Sequence, residues 1–245
     1  MSANLSDRTV GELVAERPSR SRIFESWGID YCCKGKQRLV DSCATRSLDL
    51  QAVLSDLREE TVEARDNQVD WTQSPLSTLV AHIITTHHAF LREALPRLSA
   101  LTAKVRDAHA QRHPELVEVA RVFAAFRAEM EAHTHKEEQI LFPAINTLEQ
   151  TDISSVVPGG SVRELIQVME QEHDSAGAAL ETLRRLTNGY AIPEGACATY
   201  RAMLDALAQL ETDTHRHVHK ENSILFPRAE AREAERCASP VSVPV

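Results

Sequence analysis

Two stretches decide how this chain folds: "HTHKEEQILFP", from His133 to Pro143, and "HVHKENSILFP", from His217 to Pro227. Eight of the eleven letters are identical, and the copies begin 84 positions apart. A repeat at such spacing marks one supersecondary unit used twice. Upstream of the first copy, apolar residues recur at steps of three and four as Val119, Val122, Phe126 and Met130, and the series continues through positions 133, 137, 140 and 144. Upstream of the second they are Met203, Leu207 and Leu210, continuing through 214, 217, 221 and 224. This is the period of a helix with one buried face. In both copies that face runs through a His and a Glu.

The pattern extends outward to two more helices. Ala81, Ile84, His88, Leu91, Leu95 and Leu98 match Ile166, Met169, His173, Ala176, Leu180 and Leu183 at a constant offset of 85, and each series carries one inward histidine. Helical segments are expected at roughly 75 to 108, 114 to 149, 161 to 188 and 194 to 232. The breaks fall at His113-Pro114, at "SSVVPGGS" and at "TNGYAIPEG". Four long helices with short connections predict an all-α, up-down-up-down four-helix bundle. Pro143 and Pro227 would kink the last turns near the site or end their regular ladders.

Residues 1–60 hold shorter amphipathic pieces punctuated by Pro18, Gly28 and Gly35, which suggest a small helical N-terminal domain with a Cys-Cys motif. The polar, aperiodic run at 61–74 reads as a linker, 75–232 as the bundle and 233–245 as a disordered tail. A formal charge of -9 argues against a general phosphate-binding surface, so no nucleic-acid partner is expected. There is no apolar run of about 18 residues and no signal-like start, so the chain is expected to be soluble, cytoplasmic and without a membrane partner. Five cysteines at irregular spacing are unlike a disulfide framework.

The repeat brings His88, His133, Glu137, His173, His217 and Glu221 toward one bundle centre. Burying a single uncompensated polar side chain costs about 1–3 kcal/mol, so six need a strong partner, and a metal centre supplies one. Positions i and i+4 lie about 40° apart on a helix, so each His–Glu pair can face one ion. His135 could pair instead with Glu138, but the second copy has Asn222 there. Four imidazoles and two carboxylates without thiolate suit iron or manganese better than structural zinc. They match two ions with both carboxylates bridging and an oxo or hydroxo bridge from water. His82, His87, His109, His113, His135 and His219 read as residues at the surface or behind the ligands, and Glu172 as a candidate for orienting a ligand.

These residues carry a resemblance to the hemerythrin-like di-iron family. "GIDYCCKGKQRLVDSC" (Gly28 to Cys43), "HKEEQILFP", "VMEQEHDSAG" and "ENSILFPRA" resemble the Repair of Iron Centres (ScdA/YtfE-type) proteins, and the likeness spans about residue 7 to 232. It implies a stress-response protein with two non-haem iron ions, held by the same six residues, that restores iron-sulfur clusters damaged by nitric oxide or peroxide. Damaged iron-sulfur proteins and small ligands such as nitric oxide or oxygen are the implied partners. The resemblance further places a delivery or redox role on Cys32 and Cys33. An oxygen or nitric oxide sensor or carrier, and a nitric oxide reductase, stay open as alternatives, as do enzymatic turnover and a homodimer. Cys43, Cys197 and Cys237 have no assigned role.

Overall fold

A computed structural model of the chain describes residues 5–59, 69–149 and 161–238. Residues 61–68 of the expected linker, and 239–245 of the expected tail, lie outside the described residues. The start of the tail differs from expectation, since helix persists through Ala238.

The described residues are helical: α1 (Val10–Glu16), α2 (Arg20–Ser26), α3 (Leu39–Thr45), α4 (Leu50–Glu59), α5 (Leu76–Ile83), α6 (Ala89–His109), α7 (Glu115–Lys136), α8 (Phe142–Glu149), α9 (Val162–Leu186), α10 (Ala198–Lys220) and α11 (Phe226–Ala238). Among them the only β pairing is an isolated antiparallel bridge between Thr9 and Arg38. Three single π turns, Ile84–His88, Glu137–Leu141 and Glu221–Leu225, join α5 to α6, α7 to α8 and α10 to α11. The four long segments therefore fall where the periodicity predicts them. Helix also continues beyond Pro143 and Pro227, because the π turn before each supplies a five-residue bond, Phe142 N–H to Glu137 O and Phe226 N–H to Glu221 O.

The chain forms two compact units, one of residues 81–147 and 156–214, the other of residues 1–80, 148–155 and 215–245. In the first, the bundle unit, α6, α7, α9 and residues 198–214 of α10 share one core. Leu95, Leu98, Phe123, Phe126, Leu180, Leu183, Met203 and Leu207 are among its buried side chains. At about 1.5–3 kcal/mol for each large apolar side chain removed from water, such layers dominate the stability of the bundle.

In the second, the terminal unit, α1 opens with a capping box in which Thr9 and Glu12 satisfy each other's backbone N–H groups. Val10, Leu13, Phe24, Tyr31, Leu39, Cys43, Val53 and Leu57 form its core. Cys43 is thus a small apolar filler there. The same unit includes the C-terminal π turn. Gly11 and Gly35 let the N-terminal segment press against Ser223: a Cβ on Gly11 would stand 2.6 Å from Ser223 Oγ, and one on Gly35 2.7 Å from the Tyr31 carbonyl oxygen.

Two positions of the expected inward stripe face outward, Ala81 and Ile140. Ala81 lies across a π turn from His88, and Ile140 lies inside the π turn that Glu137 opens. A π turn holds one residue more than an α turn, so the face slips by one position: Val80 rather than Ala81, and Leu141 rather than Ile140, is buried.

Candidate metal centre

Four of the six sequence-selected donors belong to the bundle unit. His88 closes the first π turn, His133 sits in the last turn of α7, Glu137 opens the second π turn and His173 lies midway along α9. All are at most 2% exposed. Glu137 Oε2 lies 3.3 Å from His88 Nε2 and 3.4 Å from His133 Nε2, so one carboxylate faces both imidazoles. His133 Nε2 and His173 Nε2 are 3.1 Å apart.

The opposite ring nitrogens are engaged by carboxylates that are themselves held by cations. His88 donates Nδ1–H to Glu138 at 2.7 Å, and Arg92 binds the same Glu138 oxygen at 2.8 Å. His133 donates Nδ1–H to Glu172 at 2.9 Å, and Lys136 pairs with the other Glu172 oxygen. Burial alone would raise the pKa of Glu138 and Glu172, but these hydrogen bonds and charges outweigh it and hold both below the ordinary carboxylate value. An ionised acceptor on Nδ1 fixes the tautomer that leaves the lone pair on Nε2, the nitrogen turned toward Glu137.

This donor set fits a metal ion. Two nitrogens bound side by side at about 2.1 Å from one ion are about 3.0 Å apart, close to the His133–His173 separation of 3.1 Å. His133, Glu137 and His173 each offer a ligand atom within 4.8 Å of the others.

The remaining pair belongs to the terminal unit. His217 and Glu221 are fully buried, with Nε2 3.0 Å from Oε1 across the end of α10 and the start of the third π turn. Two residues on, His219 turns away, donating Nε2–H to the Gly11 carbonyl at 3.0 Å, and burial lowers its pKa to about 4. Its ring meets the edge of Tyr31, with centroids 5.5 Å apart. Asn222, beside Glu221, reaches the Cys32 carbonyl at 3.4 Å. The Cys-Cys loop is therefore tied to the helical segment that carries His217 and Glu221.

Cys32 is buried and Cys33 partly exposed, their sulfurs 3.7 Å apart. The hydrogen bond with Cys33, burial, and the nearby Asp30 carboxylate hold the Cys32 thiol well above its ordinary range.

Periodicity alone missed part of this arrangement. His87, read as a surface or supporting residue, is buried and paired with Asp213 at 2.9 Å, and His219 is buried as just described. His135 is exposed. Glu138 turns out to be the partner of His88, a role only three-dimensional proximity reveals, whereas the candidacy of Glu172 as an orienting group agrees with its bond to His133. Cys197, exposed, lies 3.2 Å from His109 Nε2.

Comparison with known proteins agrees with the donor chemistry. Residues 79–229 match the hemerythrin HHE cation binding domain, and residues 6–61 match a domain of unknown function, DUF542. The iron-sulfur cluster repair protein YtfE of Citrobacter koseri is 36% identical over 230 residues, spanning 93% of this chain and 98% of the relative. The proteins of the same name from Escherichia coli O157:H7 and Escherichia fergusonii match to the same extent. A cation-binding helical domain over 79–229 and likeness along nearly the whole length lead to one conclusion: the chain belongs to the hemerythrin HHE family, among the iron-sulfur cluster repair proteins of the YtfE type.

Proposed function

We propose that His88, His133, Glu137, His173, His217 and Glu221 together hold two iron ions, with Glu137 and Glu221 as bridging carboxylates, and that the protein uses this centre to restore damaged iron-sulfur clusters. The observation that carries this reading is the position of Glu137, whose one oxygen lies within 3.4 Å of both His88 Nε2 and His133 Nε2. A carboxylate between two imidazoles on different helices suits a ligand shared by two ions. The chain's own residues then have distinct tasks. Glu138 and Glu172 keep protons on Nδ1 of His88 and His133, and the apolar layers around Phe126, Met130 and Phe142 exclude water. When bound, the iron pair supplies redox capacity and coordination positions open to small molecules such as nitric oxide or oxygen.

Cys32 and Cys33 are assigned the handling of iron or electrons outside the bundle. The relatives' name places their work on iron-sulfur proteins, and we assign the same partners to this chain. Among the described residues no helix is long and apolar enough to cross a membrane. With a cysteine complement unlike a disulfide framework, this supports action in the cytoplasm. The test is to incubate iron-loaded protein with a cluster enzyme inactivated by nitric oxide or peroxide. Recovery should exceed that with the apo-protein, and equal recovery would overturn the repair reading.

A further inference from the structure

A second cluster of metal-ligating side chains lies in the loop after α2, outside the six residues above. Asp30, Cys32 and Cys33 each offer one ligand atom, and these atoms all lie within 4.8 Å of one another. Sulfur to sulfur is 3.7 Å, and Cys32 Sγ to Asp30 Oδ1 is 3.2 Å. Two thiolates bound at about 2.3 Å to a tetrahedral ion stand about 3.8 Å apart, and a thiolate and a carboxylate oxygen about 3.5 Å. Both separations that involve Cys32 are thus within a few tenths of an ångström of the spacing an ion would impose, and Cys33 and Asp30 lie within 4.8 Å of each other.

That spacing is built in from several sides. Asp30 Oδ1 accepts the backbone N–H groups of Cys32 and Cys33, both at 3.0 Å, which folds the loop so that both thiols and the carboxylate share one side. Tyr31, between them, is anchored with its ring against His219 and its hydroxyl donating to Glu25 at 2.8 Å. Behind it Gly35 passes so close to the Tyr31 carbonyl that no Cβ fits. Asn222 holds the Cys32 carbonyl. Cys32 is buried whereas Asp30 and Cys33 are partly exposed, so an ion can enter from the Cys33 side.

We propose that Asp30, Cys32 and Cys33 form a separate mononuclear site for a thiophilic divalent cation of the iron(II) or zinc(II) class. Two thiolates and one carboxylate disfavour magnesium and calcium. Three protein donors leave a fourth position open, which is the arrangement of an exchanging ion rather than a closed structural one. The site stands whether or not the bundle holds two irons, because it uses none of the same residues.

The test is an anaerobic titration of the reduced, iron-loaded full chain with Co2+, following near-ultraviolet thiolate-to-cobalt charge transfer. The six His and Glu donors contain no sulfur, so cobalt held by them would give no such band. We expect the band to saturate at one cobalt per chain, to vanish in Cys33→Ser, to need at least tenfold more cobalt in Asp30→Asn, and to persist in Cys197→Ser. Should Cys33→Ser melt early, Asp30→Asn, which keeps the side-chain shape and its acceptor oxygen, decides the matter. No band in the unaltered protein, or an undiminished band in Asp30→Asn, would overturn the proposal.

Discussion

Glu172 Oε2 lies 2.9 Å from Nδ1 of His133, the ring nitrogen that does not face Glu137. The bond decides which nitrogen of His133 carries its proton, and Lys136 keeps Glu172 ionised to do so. Partners of this kind typically account for 10–100-fold in metal affinity. Glu172→Gln should therefore weaken iron retention by about one to two orders of magnitude, measured against a competing chelator, with helical content unchanged. Glu138→Gln should do the same through His88. Retention equal to the unaltered protein would remove both residues from the account.

The π turns make a prediction about packing. Ile140 is 42% exposed and Leu141 1%, although the helical stripe points to position 140. Leu141→Ala should cost about 2–5 kcal/mol in denaturant unfolding, and Ile140→Ser no more than about 0.5 kcal/mol. The reverse order would mean that the helix continues as an ordinary α ladder.

In the terminal unit, Glu149 at the end of α8 accepts the backbone N–H groups of Leu76 and Ser77 at the start of α5. Burial alone would raise its pKa, but the hydrogen bonds from Ser77 and Leu76 outweigh it and bring the carboxyl below its ordinary 4.5. A depressed folded-state pKa contributes stability that is present above 4.5 and is lost as pH falls through that value and below. Glu149→Gln should lower the melting temperature at pH 7, and the gap to the unaltered protein should narrow as the pH drops below 4.5. A gap that does not change with pH would deny the carboxylate this role.

Gly35 tests the docking of the Cys-Cys loop. A Cβ there meets the Tyr31 carbonyl at 2.7 Å, a backbone atom that cannot swing aside. Gly35→Ala should destabilise the protein by about 1–3 kcal/mol in thermal or denaturant unfolding and raise the reactivity of Cys32 toward a thiol reagent. Unchanged melting and reactivity would show that the loop has room to spare.

Much of this architecture is legible in the sequence, because a helix repeats its face every three to four residues. His173 illustrates the favourable case: it sits in a helix without a π turn, and its whole stripe from Ile166 to Leu183 is buried. Ala81 and Ile140 mark where that logic fails, since a π turn is set by backbone bonding that leaves no period of its own. The sequence sets Glu138 only against His135, because its actual partner His88 is 50 positions away and no local pattern joins them. Likewise nothing near Gly11 announces that it will receive His219 and Ser223 from the far end of the chain. His87 and His219 could be told from exposed histidines only once their partners, Asp213 and the Gly11 carbonyl, were in place.

On the proposed reading, four imidazoles and two carboxylates, all buried, hold a pair of irons. Iron analysis with Mössbauer spectroscopy of protein purified anaerobically from iron-replete cells tests it most directly. Two irons per chain are expected as a coupled pair, with the pairing lost in Glu137→Ala and in Glu221→Ala. A single isolated iron, or a two-iron spectrum indifferent to both substitutions, would contradict it.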